Sequence, residues 1–246
     1  MLTKIDNILI EYDLKYGNNK KTIVFLHGWG GNLSNFSYFA GVFNNFGYTT
    51  LNINLTEHGF KNLKENFTIY DYSEVVVKLI YKLKLKNLIL VGHSFGGRLA
   101  IIISSMYNVC DKIVLVDSAG LKPRFNLITK LKVLNYKINK KLVSLHLKNE
   151  KSLEKYGSTD YKCLKPNLKS VFKNVVNEDL TYLLKNIKIK ALIVFGKFDK
   201  DTPLYMAKKL HKKLENSHFL VYNGGHYSYL DESSKFINDL KQFCKI

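Results

Sequence analysis

Leu88-Ile89-Leu90-Val91-Gly92-His93-Ser94-Phe95-Gly96-Gly97-Arg98 changes character twice within a few residues. The apolar run at its start reads as a buried strand. Gly-x-Ser-x-Gly then marks a very tight turn, and the small and apolar residues from Arg98 to Met106 read as a helix. A serine at the apex of such a turn is held in a strained backbone conformation, so Gly92 and Gly96 must leave room on either side. The turn lifts the hydroxyl clear of the sheet and points a helix N-terminus at whatever reacts with it. A plain helix N-cap would give the two glycines no purpose. Ser94 is therefore the candidate nucleophile.

Serine needs a base. Phe219-Leu220-Val221 runs into Tyr222-Asn223-Gly224-Gly225-His226, which sets an imidazole after the last predicted strand. Ala191-Leu192-Ile193-Val194-Phe195 is another buried strand and leads into Gly196-Lys197-Phe198-Asp199-Lys200-Asp201-Thr202-Pro203. A carboxylate on that loop can orient the imidazole, which can then take the serine proton. Asp199 has two rivals: Asp201, a possible cap for the helix that starts at Pro203, and Asp117, at the end of an earlier strand. Thr22-Ile23-Val24-Phe25-Leu26 precedes His27-Gly28-Trp29-Gly30-Gly31, a turn whose glycines let main-chain N–H groups come close to a ligand. The N–H groups of Trp29 and Phe95 are the candidate oxyanion hole. Trp29, the one tryptophan, can also wall the pocket. His93 and His27 read as structural.

These four pieces, in this order and each at a strand end, resemble the α/β-hydrolase superfamily over nearly the whole chain. The resemblance implies an α/β fold with a mostly parallel central sheet and helices on both faces. It also implies the chain order Ser94, Asp199, His226 for nucleophile, acid and base, with Asp199 matching the Gly196-x-x-Asp spacing. A serine nucleophile separates the chain from the epoxide hydrolase and haloalkane dehalogenase branches, which carry aspartate there. One loop departs from the family. Where relatives read Asp-x-Pro-Gly-His/Phe-Gly-x-Ser, this chain reads Asn54-Leu55-Thr56-Glu57-His58-Gly59-Phe60-Lys61. A diverged surface loop explains this better than a local binding role for Glu57 and His58.

Strands alternate with helices elsewhere too, as in a parallel sheet. An antiparallel edge strand is expected over 8–16, strands at 22–26, 48–53 and 112–117, and helices near 33–46 and 71–84. The sheet resumes at 191–195, followed by a helix near 203–214, a strand at 218–222 and a helix near 231–243. Strand signals stop between Leu121 and Asn186, where amphipathic stretches at 128–145 and 168–176 read as helices. The superfamily commonly places a helical lid there. The expected organisation is thus a core of residues 1–120 and 187–246 with a lid over 121–186. The segment from Ser118 to Arg124 resembles uncharacterised bacterial lidded hydrolases.

The chain has 246 residues and a formal charge of +18. Of its 38 basic residues only Arg98 and Arg124 are arginines, and lysine is spread over nearly every element. Nucleic-acid binding calls on clustered arginine, so a solvated lysine-rich surface is the better reading, with at most a weak pull on anionic substrates or membrane surfaces. The predicted lid holds 15 basic and 5 acidic residues. An exposed insertion that collects lysine explains this more simply than an anion site, for which Arg124 is the best candidate. Arg98, one turn into the nucleophile helix, is a second candidate for an anionic substrate, although such a residue more often fixes neighbouring loops. No run of about 18 apolar residues is present to span a membrane, and the N-terminus lacks the apolar core of a signal peptide. Cys110, Cys163 and Cys244 are far apart and lack metal-ligand spacing, which suits a reducing cytoplasm.

The expected chemistry is acyl transfer with no metal and no organic cofactor. The first expectation for function is hydrolysis of a carboxylic ester of a small or medium substrate beneath the lid. A carbon–carbon hydrolase or lyase acting on an acidic diketo-like compound is the alternative. Gly96-Gly97-Arg98-Leu99-Ala100 resembles a lyase of menaquinone synthesis, while Tyr227 stands where carbon–carbon hydrolases tend to carry tryptophan. A hydrolase-fold protein that only binds a ligand is a third possibility.

Overall fold

Strands β3 (Thr22–Leu26), β4 (Thr49–Ile53) and β6 (Leu88–His93) are buried at every residue. Strands β7 (Cys110–Val116) and β8 (Lys190–Gly196) are buried over their last four and six residues. Apolar runs of this kind belong to parallel strands covered on both faces. The computed structural model describes residues 1–55, 60–61, 63, 66–122, 127–153, 164 and 166–245. It shows a mixed sheet in the order β1-β2-β4-β3-β6-β7-β8-β9, with the short β5 (Phe60–Lys61) paired to β2 (Ile8–Lys15). From β4 through β9 (Ser217–Tyr222) all neighbours are parallel; β2 pairs antiparallel with β4 and with β1 (Leu2–Ile5).

Period-two alternation divides the core. Ile23, Phe25, Ile89, Val91, Val114 and Val116 face α1 (Ser34–Asn45) and α8 (Ser233–Lys245), which contribute Phe36, Phe39, Phe43, Phe236, Leu240 and Phe243. Val24, Leu26, Leu88, Leu90, Ile113 and Leu115 face the other way, into a cluster fed by α2 (Ile69–Lys82), α3 (Phe95–Met106) and α6 (Leu204–Lys213). Helix α2 starts two residues before its expected position because Thr68 and Asp71 form a reciprocal capping box.

The expected edge strand at 8–16 is not the edge. β1 lies outside it, joined by a two-residue turn in which Asp6 takes a φ of 50°. Aspartate tolerates that left-handed conformation, and four residues were too few to show a period. Between β7 and β8 the described residues form α4 (Leu127–Ser144), α5 (Pro166–Val176) and 3-10 turns at Glu150–Leu153, Leu180–Tyr182 and Leu184–Asn186. Glu57, His58, Arg124 and Cys163 lie outside the described residues. Cys110 and Cys244 are buried free thiols.

Candidate active site

Ser94, Asp117, Asp199 and His226 each follow the C-terminal end of a parallel strand, the rim where open α/β sheets bind ligands. Ser94 has φ 50° and ψ −110°, a strained conformation for a residue with a side chain, and its hydroxyl makes no capping bond to α3. Its N–H donates to Val116 O at 3.1 Å, which ties the turn to β7. A Cβ at Gly92 would run into the carbonyl of Gly96, and one at Gly96 into the carbonyl of Leu26. The glycines flanking Ser94 thus let the helix start lie directly on the strand it came from.

His226 Nε2 lies 3.0 Å from Ser94 Oγ, and His226 Nδ1 lies 2.9 Å from Asp199 Oδ2. The carboxylate accepts only, so Nδ1 carries the proton and Nε2 is left to accept from the serine hydroxyl. Asp199 Oδ1 accepts from the N–H groups of Asp201 and Thr202, at 2.8 and 2.9 Å. Thr202 Oγ1 stands 2.6 Å from Asp199 Oδ2. Burial opposes the Asp199 charge, yet the bonds from His226 and Thr202 outweigh it and hold the carboxyl below its ordinary range. Burial likewise opposes a charged His226, and the Asp199 carboxylate outweighs it, so the imidazole pKa is raised above 6.5. Of the two rival acids, Asp201 is exposed and caps no helix, since α6 has no side-chain cap.

Asp117 takes a different place. It is fully buried at φ 43°, accepts from Gly196 N–H at 2.7 Å through Oδ1, and accepts from Ser228 N–H and Oγ through Oδ2 at 3.0 and 2.6 Å. One carboxylate therefore ties together the loops that carry Asp199 and His226. Burial pushes its pKa up to about 7. His93 adds a second tie. Its Nε2 donates to the His226 carbonyl at 2.7 Å, and burial drives its pKa down to about 3, so the ring is neutral. His27 orders its own turn, with Nδ1 on Gly28 O at 2.7 Å and Nε2 accepting from Leu55 N–H at 2.9 Å.

Trp29 sits between the turn and the inserted stretch. Its ring meets Phe95 edge-on with centroids 5.3 Å apart, and Phe172 of α5 at 5.1 Å. Neither the Trp29 nor the Phe95 main-chain N–H takes a partner among the described residues. Of the two roles open to Arg98, ligand contact and bracing of nearby loops, its bonds serve the second. Its two terminal nitrogens donate to Val176 O and Glu178 O at 2.7 Å each, and the side chain is buried. Burial lowers its pKa to about 10, still far above neutrality. Bound to two carbonyls, this cation anchors the end of α5.

Among the described residues one group has metal-ligand spacing: Asp199, Asp201 and His226 offer atoms within 4.8 Å of one another. The Asp199 carboxylate and His226 Nδ1 already bond to each other there, so a cation would have to break that bond. Sequence reasoning missed Thr202, Ser228 and Phe172. The i, i+3 spacing of Asp199 and Thr202 carried a signal of a side-chain turn. Ser228 and Phe172 carried none, because their partners are more than a hundred residues away.

A family model described as alpha/beta hydrolase fold matches residues 21–137, and one described as TAP-like protein matches residues 158–242. A Bacillus subtilis protein named AB hydrolase superfamily protein YisY is 28% identical over 251 residues, covering 91% of each chain. The pimeloyl-[acyl-carrier protein] methyl ester esterase of Wigglesworthia glossinidia brevipalpis is 26% identical over 252 residues, covering 93% of this chain and 95% of its own. The solved structure of an esterase from Exiguobacterium antarcticum superposes with a TM-score of 0.77 at 21% identity, covering 100% of this chain and 98% of that one.

Proposed function

The chain belongs to the α/β-hydrolase superfamily, and from that membership we propose that it is a serine carboxylic-ester hydrolase with Ser94 as nucleophile, His226 as base and Asp199 as orienting acid. One observation carries the reading: the continuous contact from Ser94 Oγ through His226 to Asp199, on a backbone strained at the serine. His226 Nε2 takes the hydroxyl proton as Ser94 Oγ attacks the ester carbonyl carbon. Negative charge then develops on the carbonyl oxygen, where the N–H groups of Trp29 and Phe95 stabilise it. Collapse expels the alcohol, which takes the proton from His226. Water, deprotonated by the same imidazole, then releases the acid from Ser94. Asp199 keeps the tautomer that leaves Nε2 free to accept and favours the imidazolium formed at each step.

The ester-directed name of the Wigglesworthia relative supports this choice of bond. The case for an acidic diketo-like substrate weakens, since Arg98 is engaged by Val176 and Glu178. In this reading the stretch from 121 to 186 acts as a lid, on the strength of the Phe172–Trp29 contact beside the nucleophile turn. Hydrolysis of p-nitrophenyl esters from acetate to long-chain acyl tests the proposal. Turnover should peak at one chain length and fall about 10⁴-fold or more in Ser94→Ala. Absence of turnover at every length, or turnover that survives Ser94→Ala, would overturn it.

A further inference from the structure

Helix α4 carries a face that the catalytic reading does not use. Leu131, Leu134 and Ile138 fall at intervals of three and four residues, which puts them on one side of the helix, and Leu145, just past its last residue with its N–H still on Lys141 O, continues the line. They are 57%, 54%, 51% and 55% exposed. The helix rests on the chain through another side, with Asn139 buried and Tyr136 and Val143 half-buried. Single exposed leucines are ordinary, but a continuous stripe of large apolar side chains marks an interaction surface. Charge says which kind. Lys137 and Lys141 are exposed along the border of the stripe, and the sequence from Leu127 to Asn149 contains no acidic residue.

We propose that α4 is a peripheral docking helix that lies in the surface of an anionic phospholipid membrane, its leucine stripe among the acyl chains and its lysines at the headgroups. Such a surface satisfies both halves of the helix: apolar area leaves water while the lysine stems reach outward to phosphate. A second copy of the chain would instead bring two lysine-bordered, acid-free faces together, with like charges opposed. No helix among the described residues is long and apolar enough to cross a membrane, so this attachment is to the surface alone. It does not depend on the chemistry assigned to Ser94, so Ser94→Ala protein should dock as the wild type does.

The test is co-sedimentation of the full chain with vesicles of phosphatidylcholine alone and of equal parts phosphatidylcholine and phosphatidylglycerol. Net charge alone would attract a chain this basic, so the decisive variant keeps the charge: Leu134→Ser with Ile138→Ser. Wild type should partition onto the mixed vesicles and hardly onto phosphatidylcholine. The variant should partition at least about tenfold less, with an unchanged melting curve. If that pair fails to fold, Leu131→Ser with Leu145→Ser removes the other half of the same stripe. Lys208→Glu with Lys212→Glu, on exposed positions of α6, should leave more binding than either stripe variant. Equal binding by wild type and stripe variant would overturn the proposal, as would no binding by wild type. A dimer that the stripe variant splits, with vesicle binding unaltered, would assign the stripe to a second copy and overturn it as well.

Discussion

The turn at Ser94 and helix α4 are built on opposite principles within one chain. At the turn every neighbour is committed: glycines without room for a methyl group, a strained serine, and main-chain bonds from Ser94 to β7. Helix α4 shows its leucines and lysines to solvent, whereas later parts of the inserted stretch pack on the core, where Val171, Val175, Leu180 and Leu184 join its apolar cluster. Polar and aromatic contacts add to that packing: Arg98 on Val176 and Glu178, Trp29 on Phe172, Leu180 N–H on Gly120 O, and Tyr70 Oη on Glu178 and Tyr182. The backbone conformation of Ser94 persists only because the packing around it over-determines it. A surface meant to meet something else can do without such packing. Precision and exposure are thus separated along this chain, and the apolar side of α5 with the turns that follow it joins them.

Substitutions can break that contrast or sharpen it. The largest effect belongs to Asp199→Asn, expected to lower kcat/KM by about 10³-fold to 10⁴-fold, since an amide facing Nδ1 favours the tautomer with the proton on Nε2. His226 must be neutral to accept the serine proton, so activity falls as pH drops through its pKa. The raised pKa puts that limb above pH 6.5 in the wild type, and loss of the carboxylate should move it to lower pH. A pH–rate profile checks both; an unmoved limb would dissociate Asp199 from His226.

Gly96→Ala comes next. Its new methyl group meets the Leu26 carbonyl, and the fold should lose about 3 kcal/mol or more in urea denaturation. Arg98→Met should cost less, about 2 kcal/mol, because it leaves the carbonyls of Val176 and Glu178 without their donor. Its signature is faster limited proteolysis within 121–186 at a rate that outpaces cleavage of the core. Leu134→Ser should change stability by no more than about 0.5 kcal/mol, the value expected of an exposed site. A loss comparable to that of Gly96→Ala would show that α4 is packed like the turn, and the contrast would fail.

Local signals account for what could be read without coordinates. Apolar runs ending in glycine located β3, β6, β8 and β9, and Gly-x-Ser-x-Gly located the strained turn, because each is a property of a few consecutive residues. The short β1 escaped, since four residues beside a two-residue turn carry too little periodicity. For Arg98 two roles stood open, ligand contact and the commoner bracing of nearby loops, because an arginine on the nucleophile helix is compatible with either. Only the approach of Val176 and Glu178, some eighty residues away, decides between them.

The sequence by itself determined that serine, histidine and a following-loop carboxylate sit at strand ends, because a strand, a glycine turn and a helix are encoded by neighbours. Tertiary structure alone decided which carboxylate faces His226 and which one braces the loops. Asp117 and Asp199 both follow parallel strands, and their bonding differs only because Gly196 and Ser228 close around one while Thr202 and His226 close around the other. Folding also turned the apolar stripe of α4 outward, since the same amphipathic pattern would serve a helix packed on the core equally well.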